Sequence, residues 1–317
     1  MRDWILRSLC WEGIALVSWL KQKRSMEDII MDAVILVLLV IIIFLTLYPF
    51  YYALIISFNS GVDASRGGVY FWPRLFTLDN YAQVFQDKAW INAFMISVAR
   101  TAVGTLCSLI FTGLFAYGLS FQDLMFRKVY MSALLFSMYF SGGLIPFFVL
   151  LRGLGLLNTF FVYVVPVLLD TFMTLVMISF FRELPRSLQE SAKIDGGNDL
   201  VIFFKIILPA SMPVIATAAL FMGVAQWNNW FDATFFVQNK DLKPLAFLLK
   251  EIINKAQITS MQGEASAQAL SMRSMSSYTP ASLQMASMIV AITPIIFIYP
   301  FAQKYFVKGV LLGAVKE

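Results

Sequence analysis

The chain has no histidine among its 317 residues. That absence removes the commonest general base and the commonest metal ligand. Cysteine is nearly absent too. Cys10 and Cys107 stand far apart, and Cys107 lies inside an apolar run, so neither a metal spacing nor a disulfide framework can be read from them. Charge is scarce: only 14% of residues are Asp, Glu, Lys or Arg. No dense basic stripe is interleaved with aromatics, which argues against nucleic acid as a partner. What the chain has in excess is apolar residues, at 59%, with a mean hydropathy of +0.75. A soluble domain of this length needs a more polar skin. Several runs near twenty residues carry almost no charge, so the expected class is an all-α, polytopic membrane protein.

Six spans are expected, at 29–57, 90–118, 129–151, 159–181, 207–231 and 282–303. The first and fifth are long enough to tilt or to project from the bilayer. An even number puts both termini on one side. With that side taken as cytoplasmic, 14 of the 24 Lys and Arg residues face the cytoplasm and nine face outward, with Arg100 inside a span. That bias follows the positive-inside rule. Residues 1–25 are expected to be an extension outside the membrane domain, which occupies 26–317. This extension is open to two readings: an interfacial helix with Trp4, Ile5, Leu9, Ala15, Leu16 and Leu20 on one face, or a loose leader ahead of a true start at Met26. It carries charges throughout and lacks a small-residue cleavage site. Residues 58–88, with four glycine or proline residues and several aromatics, suit a structured outer loop. Residues 255–281, rich in Ser, Met, Ala and Gln, have poor periodicity and leave open a mobile loop or a partner-dependent helix.

The most informative block is the polar loop 182–209 between the fourth and fifth spans. Pro185 suits a first helical turn, and Leu184, Leu188 and Ala192 then share one face. Ser191 and Ala192 are small enough for another surface to approach closely. Gly196 and Gly197 stop the helix, and Asn198 or Asp199 can cap a second one that runs into the membrane at Leu208-Pro209. The expected product is a helix–turn–helix knob, rigidly continuous with the fifth span and still charged at Glu190, Lys193 and Asp195. An ordinary amphipathic loop is the plainer reading.

Glu190, Ala192, Gly196, Ile206, Leu208 and Pro209 match the EAA loop of ABC importer permeases, and Asp195, Phe203 and Pro213 match its fuller sugar-importer form, EAAxxDGAxxxxxFxxIxLPxxxP. Ser191 and Gly197 each replace an alanine. The resemblance runs over roughly residues 30–317, through AYGLS at 116–120, SGGLIP at 141–146, LGLLNTF at 154–160, WNNWFDA at 227–233 and the ending from Tyr299. The chain resembles the sugar-importer permeases of the MalG type, and within them the LplC/YtcP-like branch for complex oligosaccharides, alginate-oligosaccharide importers included.

The resemblance implies a type I ABC importer permease fold in the bacterial cytoplasmic membrane. It implies that Glu190, Ser191, Ala192, Asp195, Gly196, Gly197, Phe203, Ile206 and Pro209 couple to an ATP-binding cassette subunit. ATP and Mg would belong to two such subunits, and this chain would hold no cofactor and catalyse nothing. The other implied partners are a second, homologous permease and an extracytoplasmic solute-binding protein delivering an oligosaccharide, with acidic fragments such as alginate among the candidates. An ion-coupled secondary sugar carrier is the alternative. It predicts internal repeats and paired intramembrane carboxylates, whereas Asp170 stands nearly alone. An intramembrane enzyme has no nucleophile–base or acid pair to work with.

Candidate path residues are Arg100, Tyr139, Trp227, Asn228, Asn229 and Trp230. Indole faces stack on sugar rings and Asn amides bond hydroxyls, but Trp and Asn at a helix end equally suit an interfacial belt. Arg100 and Asp170 are the ionisable residues set most clearly within spans. They are expected to pair, or Arg100 to meet an acidic sugar, or Arg100 to snorkel. Tyr139, Ser141, Gly142 and Gly143 interrupt the third span.

Overall fold

The computed structural model describes residues 25–261 and 278–314. Among them every regular element is helical, and the only β pairing is an isolated bridge between Asn59 and Phe76. The described residues fall into two compact units divided inside the first helix, between Tyr52 and Ala53.

That helix, α1 (Met26–Ser57), is aliphatic on every side, and its side chains from Ile29 to Leu47 are nearly all exposed. A helix apolar all round without a covering core is built for lipid. Two short helices follow, α2 (Gly61–Ser65) and α3 (Asp79–Gln86). Asn80 Nδ2 donates to the carbonyls of Ser57 and Asn59, both at 2.9 Å, and Asn80 Oδ1 accepts from Ser282 Oγ at 2.8 Å. The loop expected at 58–88 is thus a folded element locked to the last helix.

Asp63 anchors that loop. The hydrogen bond from Asn59 Nδ2 (3.0 Å) is the main influence holding its carboxyl below the usual carboxylate range; burial opposes it, and Arg74 at 3.1 Å reinforces it. The sign follows from linkage: this stabilisation is present above an ordinary aspartate value of about 4 and is lost as pH falls through the lowered value. Amide protection over residues 58–77 should therefore drop on acidification below about pH 4. Asp63→Asn should lower protection at neutral pH and flatten the pH dependence, as measured by hydrogen exchange on the folded protein.

The long central helix α4 (Lys88–Ser120) begins at Asp87, whose side chain accepts from Ala89 N–H at 2.9 Å. Its buried face is mostly small: Ser97, Gly104, Ser108, Thr112, Gly113 and Ala116. Small residues let neighbouring helices approach closely, which drives packing where lipid removes the hydrophobic incentive. A Cβ at Gly104 would lie 2.6 Å from Gln226 Nε2, so any larger residue would push the Gln226 amide out of its present position.

The third, fourth and fifth spans are bent. α5 (Arg127–Tyr139) and α6 (Leu144–Gly153) meet at 118°, with Gly143 at φ +82° in the break. The 3₁₀ turns at 160–167 meet α7 (Thr171–Glu183) at 45°. α8 (Arg186–Ile194) and α9 (Asp199–Ile202) form the polar loop. After them a π-helical turn (Phe203–Ile207) and α10 (Leu208–Ala210) lead to α11 (Met212–Asn228). The segment Asp199–Ala210 lies at 87° to the one beginning at Met212. α12 (Phe231–Phe235), α13 (Leu245–Met261) and α14 (Pro280–Ala314) complete the chain. Three described stretches can cross a membrane alone, and six if each bent pair counts as one span, which agrees with the six expected segments.

Two expectations need correction. The knob is not straight with the fifth span, because the chain turns sharply at Ser211. Asp170 does not pair with Arg100: it caps α7, its side chain accepting from Met173 N–H at 2.8 Å while its own N–H donates to Thr112 Oγ1 at 3.1 Å. Residues 1–24, with the suggested interfacial face, lie outside the described residues, as does most of 255–281 beyond Met261.

Candidate functional site

No residue of α8 is buried. Glu190, Ser191, Asp195 and Gly196 are exposed, Ala192 and Gly197 are half-buried, and Ile194 is 87% exposed at the end of the helix. The turn after it is tightly built. Gly196 has φ +82°, a conformation that side chains resist. Gly197 N–H donates to Ala192 O at 2.9 Å, and a Cβ on Gly197 would sit 2.9 Å from that same oxygen. The alanine of the EAA pattern would not fit here without a shift, so the substitution is specific to this turn. Asn198, not Asp199, caps α9, its Oδ1 accepting from Val201 N–H at 2.9 Å. Lys193 and Asp199 pair across the turn at 3.0 Å, both exposed, and such a pair adds little stability.

The knob is fastened from below. Ile202, Phe203 and Ile207 are at most 1% exposed. Phe203 packs on Tyr117 at 5.4 Å and Phe181 at 6.5 Å between ring centroids, joining α4 and α7. A Cβ on Gly113 would come within 3.2 Å of the Phe203 ring. Phe203 is therefore no part of an outer docking face; it lies between knob and membrane body. Ile206 is half-buried and Pro209 exposed.

A second cluster lies at the far end of α11. Arg100 is fully buried, with its guanidinium enclosed by protein. Its Nε and Nη2 donate to Gln226 Oε1 at 3.2 and 2.9 Å, its Nη1 to the Asn229 carbonyl at 2.9 Å, and its Nη2 to Asp232 Oδ2 at 3.1 Å. The guanidinium also lies 4.3 Å from the centre of the Tyr163 ring. Asn229 Nδ2 donates to the same Asp232 oxygen at 2.8 Å, and Gln226 Nε2 donates to Tyr163 O at 3.0 Å. Arg100 is fully buried in this conformation, and its carboxylate partner is Asp232.

The other path candidates separate. Trp227 packs against a cluster drawn from α3, α4, α13 and α14, beside Phe94, with Nε1–H donating to Ala291 O at 3.1 Å. Trp230 is half-buried with the Lys250 ammonium over its ring. Asn228 is exposed, and Tyr139, 79% exposed beside the break after α5, is no member of the Arg100 network. Sequence reading missed Gln226, Asp232 and Tyr163. The usable signal was Gln226, a polar amide one residue before the Trp-Asn run inside an apolar span.

The family model for the binding-protein-dependent transport system inner membrane component matches residues 36–312. The chain belongs to that family. This binding-protein-dependent transport component is 37% identical over 291 residues to the polygalacturonan/rhamnogalacturonan transport system permease protein YtcP of Bacillus subtilis (strain 168), covering 92% of this chain and all of that one. It is 35% identical over 272 residues to the protein LplC of the same organism, covering 86% and 90%. Among solved structures it is similar to a bacterial ABC transporter involved in the import of the acidic polysaccharide alginate. There the TM-score is 0.81 and identity 32%, over 89% of this chain and 99% of that one. The transporter component is thus a membrane permease of the ABC-importer fold, and the ion-coupled alternative finds no support among these relatives.

Proposed function

We propose that this chain is the permease subunit of an ATP-driven importer that takes oligosaccharides from an extracytoplasmic binding protein. It pairs with a second, homologous permease and with two ATP-binding cassette subunits, which hold the ATP and Mg. Both termini lie in the cytoplasm. The observation that carries this reading is the knob: a wet helix with small residues at its docking face, a glycine-built turn, and an aromatic root in the membrane body. Closure of the ATP-binding subunits draws the knob with it. The displacement passes through Phe203 to α4 and α7 and reorients the spans between inward- and outward-facing arrangements.

Two relatives support an acidic, polymeric sugar as cargo, since their names specify polygalacturonan or rhamnogalacturonan and alginate. Outer-loop charge adds nothing to this, with nine basic residues against seven acidic ones. Asn228 and Tyr139, exposed at a helix end and a span break, remain the candidates for sugar contact; Trp227 is tied to the last helix at Ala291 and Trp230 lies under Lys250.

The test is ATP hydrolysis by the assembled complex in nanodiscs, with binding proteins loaded from a panel of neutral and uronate oligosaccharides. Stimulation by uronate-loaded protein alone is the expected result. Ser191→Trp, which places a bulky side chain on the exposed docking face, should abolish stimulation and weaken recovery of the ATP-binding subunits while the permease still inserts. Sugar accumulation by this chain alone in vesicles, without nucleotide, would overturn the reading.

A further inference from the structure

The segment after α2 carries a run of exposed apolar side chains. Tyr70, Phe71, Trp72, Leu75, Phe76 and Leu78 are each more than half exposed, Trp72 at 77%. A contiguous patch of this kind on a folded surface marks contact with something apolar.

The segment is held firmly in place. Leu75 N–H donates to Asn59 Oδ1 at 2.9 Å, Ser60 N–H to Leu75 O at 2.8 Å, and Thr77 N–H to Phe58 O at 2.8 Å. The Phe58 and Phe76 rings stack at 5.5 Å. The Arg74 guanidinium turns inward onto Asp63 and the Gly67 carbonyl. No charged residue interrupts 67–73; Arg66 and Arg74 flank it, and the half-exposed Arg74 is held by Asp63 and the Gly67 carbonyl.

These hydrogen bonds also fix its depth. α1 has 32 residues, a length of about 48 Å at the usual rise per residue. A bilayer spans roughly 40–45 Å including its headgroups. A helix of that length reaches across both headgroup layers, so the last turn of α1, ending at Ser57, lies at or just beyond the membrane surface. Residues 75–77 are hydrogen-bonded beside 58–60 and share that level. Tyr and Trp, with apolar bodies and polar tips, are the side chains that settle there.

We propose that residues 70–78 form a membrane foot: Tyr70, Phe71, Trp72 and Phe76 rest in the phospholipid headgroup layer at the C-terminal end of α1. The occupant of this face is lipid. The foot sets the depth at which α1 ends, and through Asn59 and Asn80 it sets the register of α14 against the bilayer. This inference is independent of what the transporter carries.

The test uses the assembled complex in nanodiscs, with Cys10→Ser and Cys107→Ser and a single cysteine at Trp72→Cys or, separately, Tyr70→Cys. Each cysteine carries an environment-sensitive nitrobenzoxadiazole label. Nitroxide placed on the lipid headgroup should remove most of the emission at both sites. Nitroxide near the end of the acyl chain should remove little, and aqueous cobalt should act weakly. Quenching by cobalt alone would show the patch in water. Shielding from every quencher would show a protein partner covering it. Either result overturns the proposal. Two separate sites keep the test decisive if one variant fails to assemble.

Discussion

Replacing Arg100 with methionine is expected to destabilise the membrane body by about 3–5 kcal/mol, the usual cost of leaving one member of a buried ion pair without its partner. Methionine approximates the stem of arginine but leaves Gln226 Oε1 and the Asn229 carbonyl without that donor, and leaves the Asp232 carboxylate without its cation and with only the Asn229 amide. Gln226 is buried and Asp232 and Asn229 are half-buried, so water replaces the lost bonds only in part. Arg100→Lys should fall between the two, because an ammonium keeps the charge but not the planar fork that serves three acceptors at once. The informative variant is the double change Arg100→Met with Asp232→Asn. It removes both charges and should recover part of the loss, since apolar or neutral replacement of a whole buried pair is often tolerated. Thermal unfolding of the purified complex, followed by size exclusion, gives the comparison. If Arg100→Met leaves the melting temperature unchanged, the network is not what ties α4 to the end of α11.

The spans were legible in the sequence because hydropathy runs do not depend on tertiary context. So was the knob, because its glycines and caps act over four or five residues. Gly196 at positive φ and Asn198 at the cap are local chemistry read from local sequence. The bends were harder. Gly142-Gly143 signalled the third-span break, but nothing near Ser211 specifies an 87° turn: Pro209 and Pro213 suit helix starts as well as kinks. Ser211 itself is fully buried and its hydroxyl has no partner, so packing around the joint sets that angle. The Arg100 network was invisible for a different reason. Its members come from residues 100, 163, 226, 229 and 232, and only the packing of α4 against α11 brings them together. Asp170, the carboxylate inside a span, was the natural partner on sequence alone, and Asp232 was counted as an outer-loop charge. A capping bond to Met173 explains Asp170 more simply than an intramembrane pair.

Phe203→Ala is expected to separate binding of the ATP-binding subunits from transport. The Phe203 ring is fully buried, wedged over Gly113 and against Tyr117 and Phe181, and touches none of the exposed docking residues. Truncating a buried phenylalanine costs about 3–5 kcal/mol through lost burial and the cavity left behind. Here that loss falls on the joint between knob and body. The outer face at Glu190, Ser191 and Ile194 is untouched, so the ATP-binding subunits should still co-purify. What disappears is the stiffness that carries their movement inward: a loosened root lets the knob move without dragging α4 and α7. Uptake should fall at least about tenfold, which requires only about 1.4 kcal/mol of the stabilisation lost at the joint, while basal ATP hydrolysis persists and no longer responds to loaded binding protein. Phe203→Leu, closer in volume, should sit between wild type and alanine. Ile194→Asp should give the opposite pattern, with the joint intact and the ATP-binding subunits lost, because it alters the exposed tip alone. If Phe203→Ala transports normally in a stable complex, force does not pass through the aromatic root. It would then have to enter the body by α7 and the short connection ahead of α8, where Pro185 stiffens the chain.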